Sequence, residues 1–357
     1  VYVPPPSQTQ HPEMATSSSS PPRRVCVTGG GGFIGSWLVK RLLSRGYAVH
    51  ATVRDPGDAK NAFLMQLDGA PANLRLFKAD MLDYDTVVAA FAGCVGVFHV
   101  ATPVPEHKIV DPQKEIMEPA VKGTMNVLRA SLGMKVHKLI LVSSIAACIF
   151  NPDWPQDITK DESCWSDKEF CKKNENWYSL AKTQAEEIAL EFGEKNGLHV
   201  NTFCPSLVIG PLLQHVVVNT TSKVLLYIIK GGPDMINNKF FSMVDVRDVA
   251  EALLLLYDKA MPYERYLCAL DQVDLKDLLA IMKPMFPNYS YADRMVDVDL
   301  NITFTSDKLK NLGWKPRKLE ETLVESIESY EKAGLLQVLD GETCRLPFFF
   351  RPPPGYE

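Results

Sequence analysis

A tyrosine and a lysine stand four positions apart in "NENWYSLAKTQAEE" (174–187), as Tyr178 and Lys182. In a helix that spacing puts both side chains on one face, about 6 Å apart along the axis. Ala181, Ala185, Ile188 and Ala189 supply the apolar set of such a helix. A phenol beside an ammonium is a proton donor next to a group that favours its phenolate. On spacing alone an ordinary pair of surface neighbours is the favoured reading. The other motifs have to decide.

The second candidate is "VCVTGGGGFIGSWLVKRLL" (25–43), with Gly29, Gly32 and Gly35 between an apolar run and a helical pattern. Glycine at those places permits a tight turn, backbone approach to a pyrophosphate and close helix–strand packing. The N–H groups of Phe33 and Ile34, at the helix start, would face the phosphates. In strand–turn–helix context this pattern predicts a bound dinucleotide.

The end of the next strand selects which one. Sites for NAD place an acidic residue there to hold the ribose 2′-hydroxyl. Here "TVRDPGDAK" puts Arg54 at the tip, with Lys60 six residues on. Cations there suit a 2′-phosphate, so NADP(H) is expected. Asp55 would alternate away from Arg54 in an extended segment. In "KADMLD", Asp80 and its neighbour Met81 are expected near the adenine, although Asp80 could simply cap a turn.

These residues need a frame, and the chain supplies one. Apolar, β-rich runs at 25–28, 48–53, 74–79, 95–100, 138–144 and 199–205 alternate with helical patterns near 34, 58–67, 84–91 and 111–132, and with the Tyr178/Lys182 helix. Such alternation predicts an α/β fold, a Rossmann-type doubly wound parallel sheet covered on both faces. After residue 206 the order loosens. Helices near 221–230, 246–258, 274–283 and 318–333 mix with strands near 240–244 and 265–269, which predicts a smaller mixed α/β C-terminal substrate lobe. The expected division is therefore 24–206 for the nucleotide-binding domain with the catalytic residues, and 207–344 for the substrate lobe, interleaved with the first. Met14 before "ATSSSSPPRR" reads as a start, so 1–23 is expected to be disordered or extraneous. The Pro-rich tail 345–357 is excluded from the fold, although Phe348, Phe349 and Phe350 could dock it on the body.

Composition narrows the function classes. The 357 residues are 46% hydrophobic and 23% charged with net charge −5, and no long basic run occurs, which argues against nucleic acid as a partner. No apolar run reaches the ~18 residues of a membrane span, and the N-terminus lacks a signal-peptide core. Eight scattered cysteines without a CxxC pair, and seven isolated histidines, predict a cytoplasmic thiol protein with no metal. Cys164 and Cys171 read as unpaired loop thiols.

The ordered motifs "TGGGGFIG", "RDPGDAK", "FHVATP", "LVSSIAA", "NWYSLAK" and "CPSLVIGP" resemble the extended short-chain dehydrogenase/reductase family. Within it the chain is similar to the plant cinnamoyl-CoA reductase and dihydroflavonol 4-reductase branch, over about residues 24–335. The resemblance implies Ser144, with Ser143 as its neighbour, as oxyanion donor; Tyr178 as general acid; and Lys182 as the group that lowers the tyrosine pKa and holds the nicotinamide ribose. Ala101 and Thr102 would line the nucleotide, and Pro205 and Val208 would pass the nicotinamide. Ile149, Tyr178, Leu212, Val216 and Tyr227 are the expected substrate contacts, with Phe150, Trp154, Trp165 and Phe240 available nearby.

The chain departs from the family pattern at several places: Ala120 stands where many members carry Asn, Ser179, Leu180 and Ala181 where close cinnamoyl-CoA reductases resemble "NWYCYGK", Ile149 where dihydroflavonol reductases tend to carry Asn, and Val224 and Tyr227 where cinnamoyl-CoA reductases resemble one another in a His/Lys pair. Lys223 and Lys230 flank the latter. The implied activity is NADPH-dependent reduction of a small aromatic carbonyl compound, a hydroxycinnamaldehyde or cinnamoyl thioester, by a monomer or weak homodimer. A flavonoid 4-keto reductase is the nearest alternative. A nucleotide-sugar epimerase would need pyrophosphate-binding arginines, for which only Arg247 and Arg265 are at hand before residue 294. A non-catalytic NADPH-dependent regulator would have no need of the Ser144/Tyr178/Lys182 set.

Overall fold

The computed structural model describes residues 22–102, 104, 108–155, 158–214, 218–239, 242–298, 302–337 and 343–351. The first part alternates as read: β1 (Arg24–Thr28), α1 (Phe33–Ser44), β2 (Ala48–Val53), α2 (Ala70–Asn73), β3 (Leu74–Lys78), α3 (Tyr84–Phe91), β4 (Gly96–His99), α4 (Glu118–Gly133), β5 (Lys138–Val142), α5 (Lys168–Lys173), α6 (Trp177–Asn196) and β6 (His199–Pro205). The segment 58–67 forms a 3-10 helix, Ala59–Gln66, started by Asp58, which accepts from Lys60 N. The expected helix over 111–132 is split, with a π-helical turn, Gln113–Met117, ahead of α4. Pro119 has no N–H to offer residue 115, so the regular ladder starts around it.

The second part carries β7 (Leu207–Ile209), α7 (Thr220–Lys230), β8 (Ile236–Asn237), β9 (Met243–Asp245), α8 (Val246–Lys259), β10 (Arg265–Cys268), α9 (Leu275–Met285), β11 (Met295–Val296), α10 (Asp307–Asn311) and α11 (Leu319–Lys332). Seven strands form one sheet in the order β3-β2-β1-β4-β5-β6-β10, and every pairing in it is parallel. The order runs outward in both directions from β1 and β4, so the crevice lies beyond their C-terminal ends. Strands β1, β4 and β5 are buried because helices cover both faces.

Two expectations change. The strand at 265–268, assigned to the smaller lobe, is an edge of the main sheet, paired with β6 through Thr202 to Pro205. Helix α8 likewise packs on α1 and β5. Its buried Val249, Ala252, Leu253 and Leu256 at helical spacing need an apolar floor, and the sheet provides it. The tail is the second change. Residues 345–351 belong to the fold: Leu346 is fully buried, and Phe350 packs against the main core. Phe350 is the one phenylalanine of the three that packs in, while Phe348 and Phe349 stay exposed.

Candidate active site

Helix α6 presents the first candidate pair. Asn176 caps it, its side chain accepting from Ser179 N at 3.2 Å, and Gly197 in the left-handed region closes it. Tyr178, Lys182 and Glu186 then fall at i, i+4 and i+8 on one face. The Lys182 ammonium lies 5.9 Å from the centroid of the Tyr178 ring and donates to the Val142 carbonyl at 3.1 Å.

Strand β5 ends at Val142, and the two serines after it point to different places. Ser143 is buried and donates to Glu186 Oε2 at 2.7 Å. Ser144 caps the short 3-10 turn Ile145–Ala147, and its hydroxyl is placed to pull the Tyr178 pKa down. Only Ser144 reaches the phenol.

The electrostatics correct one expectation. Burial pushes the Tyr178 phenol up to about 12, against the Ser144 hydrogen bond, which pulls it down. Burial also lowers Lys182, to about 8, against the attraction of Cys204 and Glu186. Desolvation therefore dominates in the protein by itself, and the tyrosine rests protonated. On β4, His99 accepts from the Thr28 hydroxyl at 2.9 Å. Burial first, and Lys182 second, hold its pKa down at about 3. A neutral imidazole there spares the lysine a second positive neighbour. Sequence reading passed over His99, although it stands inside the "FHVATP" motif.

The glycine loop is a cradle by construction. Gly29 takes φ +68°, and its neighbour Ala101 is so near that an added Cβ would lie 3.1 Å from the Ala101 Cα. A Cβ on Gly35 would lie 2.2 Å from the Gly29 carbonyl oxygen, which only displacement of the backbone could relieve. Gly32 precedes α1 without a capping side chain, and no acidic residue occupies the first turn. The N–H groups of Phe33, Ile34 and Gly35 thus face the crevice with no intrahelical acceptor. Thr28 Oγ1 accepts from Val100 and Ala101 N–H at 3.0 and 3.1 Å, tying the Ala101–Thr102 strand exit to this loop. Such a surface fits an anionic dinucleotide.

At the end of β2, Arg54 is exposed and makes no ion pair among the described residues. Asp55 is turned inward to its own bend, accepting from Gly57 N–H at 2.9 Å. Lys60 is ion-paired with Asp58 at 2.8 Å, so it is less available than Arg54. Asn61, missed in the sequence, is buried beneath the loop: it donates to the Asp55 carbonyl at 2.8 Å and a Gly31 Cβ would meet its side-chain oxygen. Asp80 accepts from Leu82 N–H at 2.9 Å, the turn cap that was its plainer reading, and Asn126 holds the Met81 carbonyl at 2.9 Å. Pro205 ends β6 beside Cys268. Val208 is buried in β7, and its carbonyl accepts from Thr221 at 2.5 Å.

The expected substrate residues divide. Ile149 is half-buried just past the Ser144 turn. Leu212 is buried, with its N–H donated to Ser329 Oγ at 2.9 Å. Val216 and Phe240 lie outside the described residues. Tyr227 is not a pocket residue: it is fully buried on the core stripe of α7, donating to the Asp234 carbonyl at 2.5 Å. Val224 shares that stripe, and Lys230 is bonded to the Leu335 and Gln337 carbonyls at 3.2 and 2.9 Å.

Trp154 and Trp165 are packing residues. Trp154 donates to the Ile158 carbonyl and lies against Cys148, Cys164 and Cys204; Trp165 lies flat under Arg265, 3.4 Å from ring centroid to Cζ. Cys164 and Cys171 are free, as expected, and both are buried; Cys164 stands in a loop, whereas Cys171 lies inside α5.

Behind the catalytic face sits a buried charged cluster. Glu186 accepts from Thr202 at 2.6 Å, from Arg265 Nε at 2.7 Å and from Ser143. Arg265 donates further to the Glu162 and Cys164 carbonyls, at 2.8 and 2.6 Å. Arg247 is paired with Asp245 and Glu325. Both arginines that an epimerase could have turned to a pyrophosphate are held inside the fold. No group of three or more metal-ligating side chains occurs among the described residues, and no described helix is long and apolar enough to cross a membrane.

The comparisons with known proteins agree with this geometry. A family model described as the NAD dependent epimerase/dehydratase family matches residues 25–269. The chain is 41% identical over 319 residues to cinnamoyl-CoA reductase 1 of Oryza sativa subsp. japonica, covering 88% of this chain and 92% of that one. It is 37% identical to dihydroflavonol 4-reductase of Arabidopsis thaliana, covering 88% and 84%. Among solved structures, vestitone reductase from alfalfa superposes with a TM-score of 0.75 at 30% identity, covering 88% of this chain and 99% of that one. With its glycine cradle and its Ser144–Tyr178–Lys182 cluster at the sheet crevice, the chain belongs to the NAD dependent epimerase/dehydratase family, the extended branch of the short-chain dehydrogenases/reductases.

Proposed function

We propose that this protein is an NADPH-dependent reductase of phenylpropanoid-type aryl carbonyl compounds. The observation that carries it is the Ser144–Tyr178–Lys182 cluster: Ser144 beside the Tyr178 phenol, whose pKa it lowers, and the Lys182 ammonium 5.9 Å from the ring centroid. Bound NADPH supplies the hydride. Tyr178, protonated at rest, gives its proton to the carbonyl oxygen, and Ser144 donates to the same oxygen as charge grows on it. Lys182 holds the nicotinamide ribose and favours the phenolate left on Tyr178. Arg54 faces the 2′-phosphate, which selects NADP(H) over NAD(H).

Similarity to cinnamoyl-CoA reductases supports the aryl substrate class. Within that class the cleft suits compact carbonyls at least as well as CoA thioesters. A CoA ester brings phosphates that need cations at the cleft mouth. The places of the family's His/Lys pair hold buried Val224 and Tyr227, and Lys230 is already bonded to carbonyls. A flavonoid ketone is the second reading, favoured by the likeness to vestitone reductase. The enzyme works on a free small molecule in the cytoplasm, as a monomer or weak homodimer.

NADPH oxidation, followed across coniferaldehyde, phenylacetaldehyde, dihydroflavonols and feruloyl- and coumaroyl-CoA, tests the reading. At least one aryl aldehyde or ketone should match the thioesters in kcat/KM. A preference of about tenfold for the CoA esters would overturn the ranking. No turnover of any aryl carbonyl would overturn the function.

A further inference from the structure

The catalytic tyrosine has an aromatic neighbour that no motif announces. The ring of Phe349 meets that of Tyr178 edge-on, centroids 5.4 Å apart at 73°, inside the range of a favourable aromatic pair. Phe349 comes from the tail, beyond the residues 25–269 that the family model matches. Phe350 stands against it at 5.3 Å and 82°, and packs into the main core.

The tail is anchored there by a dedicated set of bonds. Asp234, nearly buried, takes Arg345 Nη2 at 2.6 Å on one oxygen, and on the other the Leu346 N–H at 2.8 Å and Arg351 Nη2 at 3.7 Å. Arg351 Nε closes the turn onto the Leu346 carbonyl at 2.7 Å. Gly232 makes room for the strap, since a Cβ there would lie 2.4 Å from the Cys344 carbonyl oxygen. Tyr227 holds the Asp234 backbone from below. So firm a mount keeps Phe349 in one place.

Yet Phe349 is itself 39% exposed. A large apolar ring left open, beside the proton donor and on a rigid mount, is a surface that a flat ligand can cover. We propose that the tail strap 343–351 is a wall of the substrate cleft and that Phe349 is a specificity-determining residue, which takes the aryl ring of the substrate while its carbonyl lies at Tyr178. The inference deepens the proposed function and rests on its aryl substrate class.

The test uses the full chain saturated with NADP⁺, titrated by calorimetry with trans-cinnamaldehyde and with hexanal as probes. Phe349→Ala should weaken cinnamaldehyde about tenfold and hexanal less than about twofold, with the NADP⁺ Kd unchanged. Phe349→Trp should keep cinnamaldehyde within about threefold of wild type. Equal losses for both aldehydes, no change in either, or tighter binding of both once the ring is removed would each overturn the inference. So would wild-type protein that does not bind cinnamaldehyde. Turnover is read separately. Wild type that binds cinnamaldehyde but reduces no aryl carbonyl fails as a reductase, while the ratio of the two affinities still decides the place of Phe349.

Discussion

The nucleotide side and the substrate side of the crevice are built on different principles. On the nucleotide side the groups on offer are backbone and exposed side chain: N–H groups at the start of α1, and Arg54, which makes no ion pair among the described residues. On the substrate side the residues whose chemistry looked available are held by internal partners. Tyr227 is bonded to Asp234, Lys230 to two carbonyls, Arg247 to Asp245 and Glu325, and Arg265 to Glu186. A residue type advertises a function only where its surroundings leave it unsatisfied. The Ser144–Tyr178–Lys182 cluster, catalytic in the proposed function, stands between the two.

The largest effect should come from that centre. Tyr178→Phe should lower kcat by about 10²–10⁴-fold, the usual worth of a general acid, with NADPH affinity within about twofold of wild type. Turnover and cofactor titration measured side by side decide it. More than about a tenth of the wild-type kcat surviving would remove Tyr178 from the role and leave the substrate side without a proton donor.

Arg265 tests whether the second part's arginines are structural. Arg265→Met leaves Glu186 as a buried charge without its partner, a change that typically costs about 3–5 kcal/mol. The pair is 2.7 Å apart, with both side chains almost fully buried. Denaturant unfolding should show that loss, and adding Glu186→Gln should recover part of it. A stable Arg265→Met protein that has lost activity would instead return the arginine to the cleft and blur the contrast.

What was legible beforehand follows the same line. The glycine loop could be read because the demand falls on the residue type itself, as the Gly35 contact shows. The Tyr178–Lys182 relation could be read because a helix converts four positions into one distance. Ser144 could be named, but its separation from Ser143 depended on Glu186, on another element. Arg265 finds Glu186 79 positions away, and Phe349 finds Tyr178 across most of the fold. No local pattern encodes such pairings. The tail's prolines argue for leaving it out of the fold and Phe348–Phe350 hint at docking, yet it is Leu346 and Phe350 that pack in.

Arg54 is the sharpest probe of the nucleotide side. Arg54→Ala should cost about 1.5–3 kcal/mol in NADPH affinity, as expected of a charged hydrogen bond, and leave NADH almost unchanged. Lys60→Ala should lose less, because Lys60 already answers Asp58. Fluorescence titration with both nucleotides reads all four numbers. Parallel losses for NADPH and NADH would mean that Arg54 does not face the 2′-phosphate.

The pH dependence is smaller and comes from Lys182. Its pKa, lowered by burial to about 8, leaves it an ammonium below that pH and neutral above. An anionic dinucleotide favours the ammonium and so raises the lysine's pKa on binding. NADPH affinity should therefore be flat below about pH 7 and weaken above pH 8, approaching about tenfold per unit. In Lys182→Met that slope should vanish, with affinity lower throughout the neutral range. A wild-type profile flat to pH 10 would show that the lysine does not sense the nucleotide.

The smallest effect separates a pocket residue from a core residue of the same type. Tyr227 occupies one of the places expected to touch substrate, yet its side chain is fully buried and its hydroxyl has one visible task, donating to the Asp234 carbonyl at 2.5 Å. Burial and the nearby Asp234 raise its pKa to about 12, so it donates that bond across the working pH range. Tyr227→Phe removes one hydrogen bond and keeps the ring in place, so stability should fall by about 1 kcal/mol. The kcat/KM for an aryl aldehyde should stay within about twofold, because the ring still supports the turn that carries Asp234 and, through it, the tail. A tenfold loss of kcat/KM at unchanged stability would put the hydroxyl in the cleft.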